Sequence, residues 1–396
     1  MLMELEGVPE SLECEVPPLY GERSIVDVVV EIAAALRGEG AGRLLDLISD
    51  ERAFVLLVDS LGLSLLAKGF LKELVKAADE VKWATSTAPS TTATALASLT
   101  TGVPPVKHGI LGYRVYSKHV GAIIRSLGFT PAVSSSREEL KNSGVKLALN
   151  RSPTLFELLS SEGVRCFYVS SHADSTYTSE IARGARLVEA RGISEALHLS
   201  LKALKRGRAL VYAYWGTLDS VSHEYGPYSS PVRYLLAGFE KILLEFMRDF
   251  KRVRNSTLIV LADHGQVSLR GSTRVDLSSI PGFLETLSLP PFGESRFTYL
   301  KAEDPEGMLR VYEEHLEDHA KLLELEEYAP LLGATSRTEV ELLSRLAGTH
   351  VLLPRGNNLL IYPYREDELK SRLKGHHGGL TGYEMLVPVI LVNSSR

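Results

Sequence analysis

Aspartate and histidine recur in this chain where apolar runs stop. The run FVLLV is followed by Asp59, and ALVYAYW leads into TLDSVSHEYGP, where Asp219 and His223 stand four residues apart. STLIVL passes into ADHG, which sets Asp263 beside His264, and GHHGG places His376 and His377 shortly before VPVILV. Each has an ordinary reading. An aspartate after a strand often caps a helix, a histidine four residues on can be a surface group, and HHGG can be an exposed turn. The adjacent Asp263 and His264 are harder to dismiss, because two polar groups at the end of a buried strand need partners. Three aspartates and three histidines converging on one sheet edge make a ligand set. Carboxylate and imidazole, with almost no cysteine, suit divalent ions such as Zn2+, with Mn2+ as the alternative.

A hydroxyl group is the other component. STAPSTTATALASLTT places Ser90, Thr91, Thr92 and Thr94 where a turn passes into a helix of small residues. A helix N-terminus offers unpaired N–H groups and a positive dipole end, which suit an oxyanion. A plain Ser/Thr cap is the competing reading, and the residues alone leave the choice among these hydroxyls open.

Such residues need a scaffold that brings strand ends together. AFVLLV (53–58), VKWATS (81–86), RCFYVSS (165–171), RALVYAYWG (208–216), STLIVLADHG (256–265) and VPVILV (387–392) read as buried strands. Helical stretches such as LSLLAKGFLKELVKAA (63–78), ISEALHLSLKALKRG and SPVRYLLAGFEKILLEFMRDFKRV lie between them. That alternation predicts the α/β class, with a mostly parallel sheet covered by helices on both faces. In such sheets ligands bind beyond the carboxyl ends of the strands.

Two stretches break the rhythm. Residues 1–49 hold a Pro-rich start and two helical stretches split by RGEGAG. That glycine group precedes the first strand, so it reads as a linker rather than a dinucleotide loop. Residues 268–340 are turn-rich, then strand-like at RFTYLKA, then charged and helical. The expected organisation is an N-terminal helical extension (1–49), a catalytic core in two parts (50–267 and 341–396) and an inserted cap (268–340).

Composition narrows the class. With 396 residues and 44% hydrophobic content the chain can bury a core and is not disordered. No apolar run approaches the roughly 18 residues of a membrane span. Cys14 and Cys166 are too few for a disulfide scaffold. The acidic start MLMELEGVPESLECEV lacks a signal-peptide pattern, which sets a cytoplasmic expectation. A net charge of -5 argues against a nucleic-acid polymer as partner. Gln266 is the single glutamine, beside six asparagines, and depletion of thermolabile amides leans towards a hot habitat. Oligomeric state is not readable.

Taken together, the motifs resemble the alkaline phosphatase superfamily, specifically its nucleotide pyrophosphatase/phosphodiesterase branch, from about 53 to 266 and again from about 350 to 393. TTGVPPVKHGILGY (100–113) is similar to the TG…P…HGI segment after that branch's nucleophile helix. TLDSVSHEYGP is similar to its D-x-x-x-H…GP segment, LADHG to its DHG, and HGGLT…EM…VP to its last ligand segment. The resemblance implies a three-layer α/β/α sandwich, alkaline-phosphatase-like, binding two divalent ions. It implies Asp219, His223 and His377, rather than His376, for one ion, and Asp59, Asp263, His264 and Thr92 for the other. Counting back from Thr101-Gly102, it makes Thr92 the nucleophile. The implied activity is hydrolysis of a small phosphate ester or nucleotide through a covalent phosphothreonine. One departure is Ala95, where the branch commonly carries a phosphate-holding asparagine; Thr94 or a backbone N–H is the available substitute. The sulfatase motif Cys/Ser-x-Pro-x-Arg is absent, and the phosphoglycerate mutase branch, with its serine, matches less well. A phosphomonoesterase or phosphomutase on the same scaffold, and a non-catalytic metal-stabilised binding module, are the alternatives. Arg296 and Tyr299 read as strand residues rather than substrate contacts, and His108 as a turn residue.

Overall fold

The computed structural model describes residues 7–9, 11–40, 42–45 and 48–394. Its principal strands, in chain order, are β1 (Arg52–Val58), β2 (Glu80–Thr85), β3 (Arg165–Ser170), β4 (Arg186–Glu189), β5 (Ala209–Trp215), β6 (Ser256–Leu261), β7 (Leu287–Glu294), β8 (Phe297–Ala302), β9 (Ala320–Glu324), β10 (His350–Pro354) and β11 (Leu386–Asn393). Seven of them form one sheet in the order β2-β11-β6-β1-β5-β3-β4. β1 runs parallel to β5 and β6, and β3 runs parallel to β4 and β5. β11 alone is reversed, antiparallel to both β2 and β6. The fold is therefore α/β with a mostly parallel central sheet, as the uninterrupted apolar strands require. β4 escapes the apolar pattern because it is a short edge strand, RLVE, with no fully buried residue.

Helices cover the sheet. α1 (Ile25–Arg37) opens on a capping box in which Ser24 and Asp27 bond each other's backbone N–H groups. α2 (Thr92–Thr101) is buried along its whole length, which its Ala, Ser and Thr content permits. α3 (Thr217–Tyr225) follows β5, and α4 (Ser230–Phe250) lays one apolar stripe on the sheet. On that stripe Phe239 stacks on Trp215 at 4.8 Å, and Phe246 meets Phe54 edge-on. The stretch expected as one helix over 63–78 is two, Leu63–Ala67 and Lys72–Ala77. Gly69 (φ 83°) and Leu71 (φ 55°) turn the chain between them. The second helical stretch expected before residue 50 is not helical over its described residues; Ala41, Asp46 and Leu47 lie outside them, as do residues 1–6. No helix of the described residues is long and apolar enough to cross a membrane.

The region after β6 builds a second sheet, antiparallel in the order β7-β8-β10-β9. It has its own small core of Leu277, Phe283, Leu300, Met308, Leu316 and Leu352. Two details differ from the expectation. The charged segment is not all helical, since AKLLE is β9, and the sheet is completed by β10, beyond residue 340. Tertiary pairing overrides the helical propensity of a Glu/Leu-rich segment here.

A buried ion pair ties this sheet to the core. Arg296, in the β7–β8 turn and 1% exposed, donates Nε and Nη2 to the Glu384 carboxylate at 2.6 and 2.8 Å. Its remaining donors reach the carbonyls of Asn358 and Gly356 at 2.7 and 2.8 Å. Glu384 also accepts from Gly379 N and Thr381 Oγ1. Tyr299 likewise donates its hydroxyl to the Leu111 carbonyl at 2.8 Å. Both residues are structural. Removing one partner of such a pair strands a buried charge, so Arg296→Met is expected to cost roughly 3–5 kcal/mol in a denaturant titration. A loss under about 1 kcal/mol would show that the pair carries little of the fold.

His108 is buried too. Its Nδ1 accepts from Ile110 N at 3.1 Å, so Nε2–H donates to Ser98 Oγ at 2.9 Å. Burial pushes its pKa down to about 3 from the usual 6.5. Its contribution is complete above pH 6.5 and is lost progressively as pH falls towards 3. His108→Gln should flatten the fall of unfolding free energy between about pH 6.5 and 4, measured by denaturant titration; an unchanged slope would rule the histidine out as its source.

Candidate functional site

Strand register places the aspartates. Val58 of β1 lies opposite Trp215 of β5, and Leu57 lies opposite Leu261 of β6, so the three strands end level. Asp59 and Asp263 therefore leave the sheet side by side, and Asp219 follows on the first turn of α3. The reversal of β11 supplies the last component. Its first residue, Leu386, pairs with Thr85 at the end of β2, so the loop before it arrives at the same carboxyl edge and brings His377 there.

Six side chains meet at that edge. His223 Nε2 is 3.3 Å from Asp219 Oδ1, and His377 Nε2 is 3.6 Å from the same oxygen. The two imidazole Nε2 atoms face each other at 3.1 Å. On the other side, His264 Nε2 is 3.5 Å from both Asp59 Oδ1 and Asp263 Oδ2. The His264 and His377 rings stack with centroids 3.9 Å apart, joining the two halves. Two sets can each converge on one ion, Asp219–His223–His377 and Asp59–Asp219–His264. Asp219 thus stands between both halves, while Asp263 points Oδ2 at His264 from behind. The His376 ring packs edge-on against His223 at 5.4 Å, and its Nδ1 accepts from the His377 N–H.

Of the four hydroxyls at the start of α2, Thr92 touches this cluster. Its Oγ1 is 3.0 Å from His264 Nε2 and 3.5 Å from Asp59 Oδ2. Ser90 instead serves the last loop: its hydroxyl donates to the Gly379 carbonyl at 2.7 Å and accepts from Gly378 N. Thr91 is the helix N-cap, and Thr94 Oγ1 is buried without a partner. Ala95 is fully buried and brings no polar group.

Three further residues orient the cluster. The Tyr214 hydroxyl donates to Asp59 Oδ2. Ser60, held at φ 65°, donates its hydroxyl to Asp219 Oδ1 at 2.7 Å and its N–H to Asp263 Oδ1 at 3.2 Å. Gln266 donates Nε2 to Asp219 Oδ1 at 2.6 Å. His223 Nδ1 and His377 Nδ1 lie against the carbonyls of Gly375 and Ser90 at 2.8 and 3.1 Å, which leaves each Nε2 for the centre. This is the arrangement that fixes ligating imidazoles.

Burial, and then the charges of Asp263 and Asp219, raise the Asp59 carboxyl well above its usual range. Burial raises Asp263 as well. Burial works against an ionised Asp219, but His223, His264, Ser60 and Gln266 together hold it below the usual range. Burial and the neighbouring histidines push His377 far down, so its ring is neutral, the ligating form. Asp59 Oδ1 and Asp263 Oδ2 are buried without a hydrogen-bond donor. Orphaned carboxylate oxygens beside pre-oriented imidazoles fit divalent cations.

Over residues 53–380 the chain matches the family described as Type I phosphodiesterase / nucleotide pyrophosphatase. No curated protein sequence matches it significantly. Among solved structures, murine ectonucleotide pyrophosphatase / phosphodiesterase 5 superposes with a TM-score of 0.64 at 14% identity, covering 87% of this chain and 88% of that one. An inactive variant of that murine protein, in complex with AMP, gives 0.63 with the same identity and coverage. Phosphonoacetate hydrolase from Sinorhizobium meliloti, in complex with phosphonoformate, gives 0.62 at 18% identity, covering 87% of this chain and 91% of that one. Identities this low show a shared fold, whereas the family match spans most of the sequence. The chain belongs to the Type I phosphodiesterase / nucleotide pyrophosphatase family, within the alkaline phosphatase superfamily.

Proposed function

We propose that this protein hydrolyses small phosphate diesters or nucleotide pyrophosphate bonds, with Thr92 as nucleophile. The observation that carries the reading is the Thr92 hydroxyl, 3.0 Å from His264 and 3.5 Å from Asp59 at the N-terminus of a buried helix. Family membership supports a phosphoryl hydrolase. The relatives in complex with AMP and with phosphonoformate support a small anionic substrate.

Asp59, Asp263, His264 and Thr92 would hold one divalent cation, and Asp219, His223 and His377 the other. When bound, the two ions, Zn2+ or in its place Mn2+, lower the pKa of the Thr92 hydroxyl and neutralise phosphate charge. The chain's own part is positional. Thr92 Oγ1 forms a bond to phosphorus as the ester oxygen on the opposite side leaves, carrying the electron pair and taking up a proton. The phosphothreonine is then cleaved by water, which returns the proton to Thr92. Unpaired N–H groups in the first turn of α2 face the non-bridging oxygens, a contact that a helix N-terminus supplies without a side chain. In the same reading the segment over 268–340, with β10, acts as a cap over a core split in sequence.

Thr92→Ala should lower kcat on bis-p-nitrophenyl phosphate by about a thousandfold or more; wild-type turnover in that variant would overturn the assignment. Comparison with p-nitrophenyl phosphate separates the readings, since a strong monoester preference would favour a phosphomonoesterase.

Chelation should abolish turnover, and Zn2+ or Mn2+ should restore it. Elemental analysis is expected to find two ions per chain, and fewer would count against the ligand set. Chelation should also lower the melting temperature, because a ligand at 100 times its Kd stabilises by about 2.7 kcal/mol and its loss leaves three carboxylates facing one another.

A further inference from the structure

Two cavities share Tyr214 and His172 as a common wall, and one of them reaches Thr92. One, of about 110 Å3, is lined by Thr92, Arg137 and Tyr177. The other, of about 280 Å3, reaches Asp59 and Asp219 and carries Arg191. A substrate with its phosphorus at Thr92 has the first cavity directly beside it and the second beyond Tyr214 and His172.

The two arginines differ from others nearby. Arg114 sits on Glu368 at 2.8 Å, Arg296 on Glu384 at 2.6 Å, and Arg365 on Asp367 at 3.1 Å. Among the described residues neither Arg137 nor Arg191 has an ion-pair partner. Arg137 gives one N–H to the Leu127 carbonyl at 3.1 Å, which steadies the guanidinium and leaves its other donors available. Glu195 stands near Arg191 but accepts its backbone N–H, at 2.8 Å. His172 is held below the ordinary histidine range by burial and by the Arg137 charge, against the opposing Asp174. It is therefore a neutral hydrogen-bonding group rather than a third cation.

Charge decides what such a cleft can take. A simple diester carries one negative charge, which bound cations at the aspartates neutralise. A second anionic group adds charge that those cations do not balance, and Arg191, in the cavity that reaches Asp59 and Asp219, supplies a further positive charge. A planar guanidinium recognises phosphate and carboxylate alike, by paired N–H···O bonds.

We propose that Arg137 and Arg191, with His172 shared between the cavities, form a subsite for a second anionic group of the substrate, a phosphate or a carboxylate set apart from the reacting phosphorus. The proposal rests on the reading of Thr92 as the group that approaches phosphorus.

The test compares kcat/KM on three substrates with the metal-loaded enzyme: bis-p-nitrophenyl phosphate, ADP as the second-phosphate probe, and p-nitrophenyl 4-carboxyphenyl phosphate as the carboxylate probe. The wild-type protein should prefer at least one doubly charged substrate. In Arg137→Ala/Arg191→Ala the ratio of that kcat/KM to the value for bis-p-nitrophenyl phosphate should fall by about tenfold or more, mainly through KM, and Arg137→Lys/Arg191→Lys should recover part of it. A fall for ADP alone assigns a phosphate, and a fall for the carboxylate ester alone assigns a carboxylate. A wild-type enzyme without the preference, or a ratio unchanged in the alanine variant, overturns the subsite. Thr92→Ala, assayed on bis-p-nitrophenyl phosphate, decides the nucleophile separately: turnover there rejects Thr92 and leaves the arginine ratio still measurable.

Discussion

Repulsion among three closely set aspartates, two of them buried, is the constraint around which this structure is arranged. Asp59 and Asp263 are 2% and 1% exposed, and Asp219 shares the same centre. Placing like charges this close in a low-dielectric interior is unfavourable unless positive charge or hydrogen bonds intervene. Tyr214, Ser60 and Gln266 supply part of the compensation from neutral donors. Among the described residues they leave Asp59 Oδ1 and Asp263 Oδ2 unmet, an arrangement that suits cations. The net charge of -5 counts these carboxylates without ions, so the acidity of the chain says little about the charge of its substrate.

Position is held from outside the core sheet as well. The loop with His377 is anchored by Ser90 on one side and by Glu384 on the other, and Glu384 is anchored by Arg296 from the second sheet. Glu294, in the same strand turn, accepts Tyr113 N at 2.6 Å, just past the α2 segment. The added sheet therefore braces both the last histidine loop and the segment after α2. Its contribution to geometry is visible independently of any contact with substrate.

The sequence made the convergence of aspartates and histidines legible because strand periodicity and side-chain chemistry are both local. An apolar run followed by Asp, or by Asp-His, states where the strand stops and what stands there. The orienting residues were not legible, since Ser60 and Tyr214 are ordinary residues whose roles arise only when β1, β5 and β6 end level. Gln266 was conspicuous for being the single glutamine, a compositional signal that hid a bond to Asp219. β9 and β10 were lost for a related reason: AKLLE and HVLLP are short, and their pairing partners are distant in sequence. Arg296 and His108 were read as structural, and their bonds bear that out.

β11 has a consequence for the order in which this molecule can be built. It follows every other strand of the central sheet in the chain, yet it lies inside that sheet, between β2 and β6. During synthesis from the N-terminus, β2 has no neighbour in the sheet until β11 emerges. Helix α2, which follows β2, is likewise not fixed against the remaining strands by sheet pairing. His377 comes from the loop that leads into β11, so the strand that closes the sheet and the last histidine of the cluster arrive together. An unfinished chain thus carries the aspartates without the full site, and assembly of the hydrolytic centre coincides with completion of the fold.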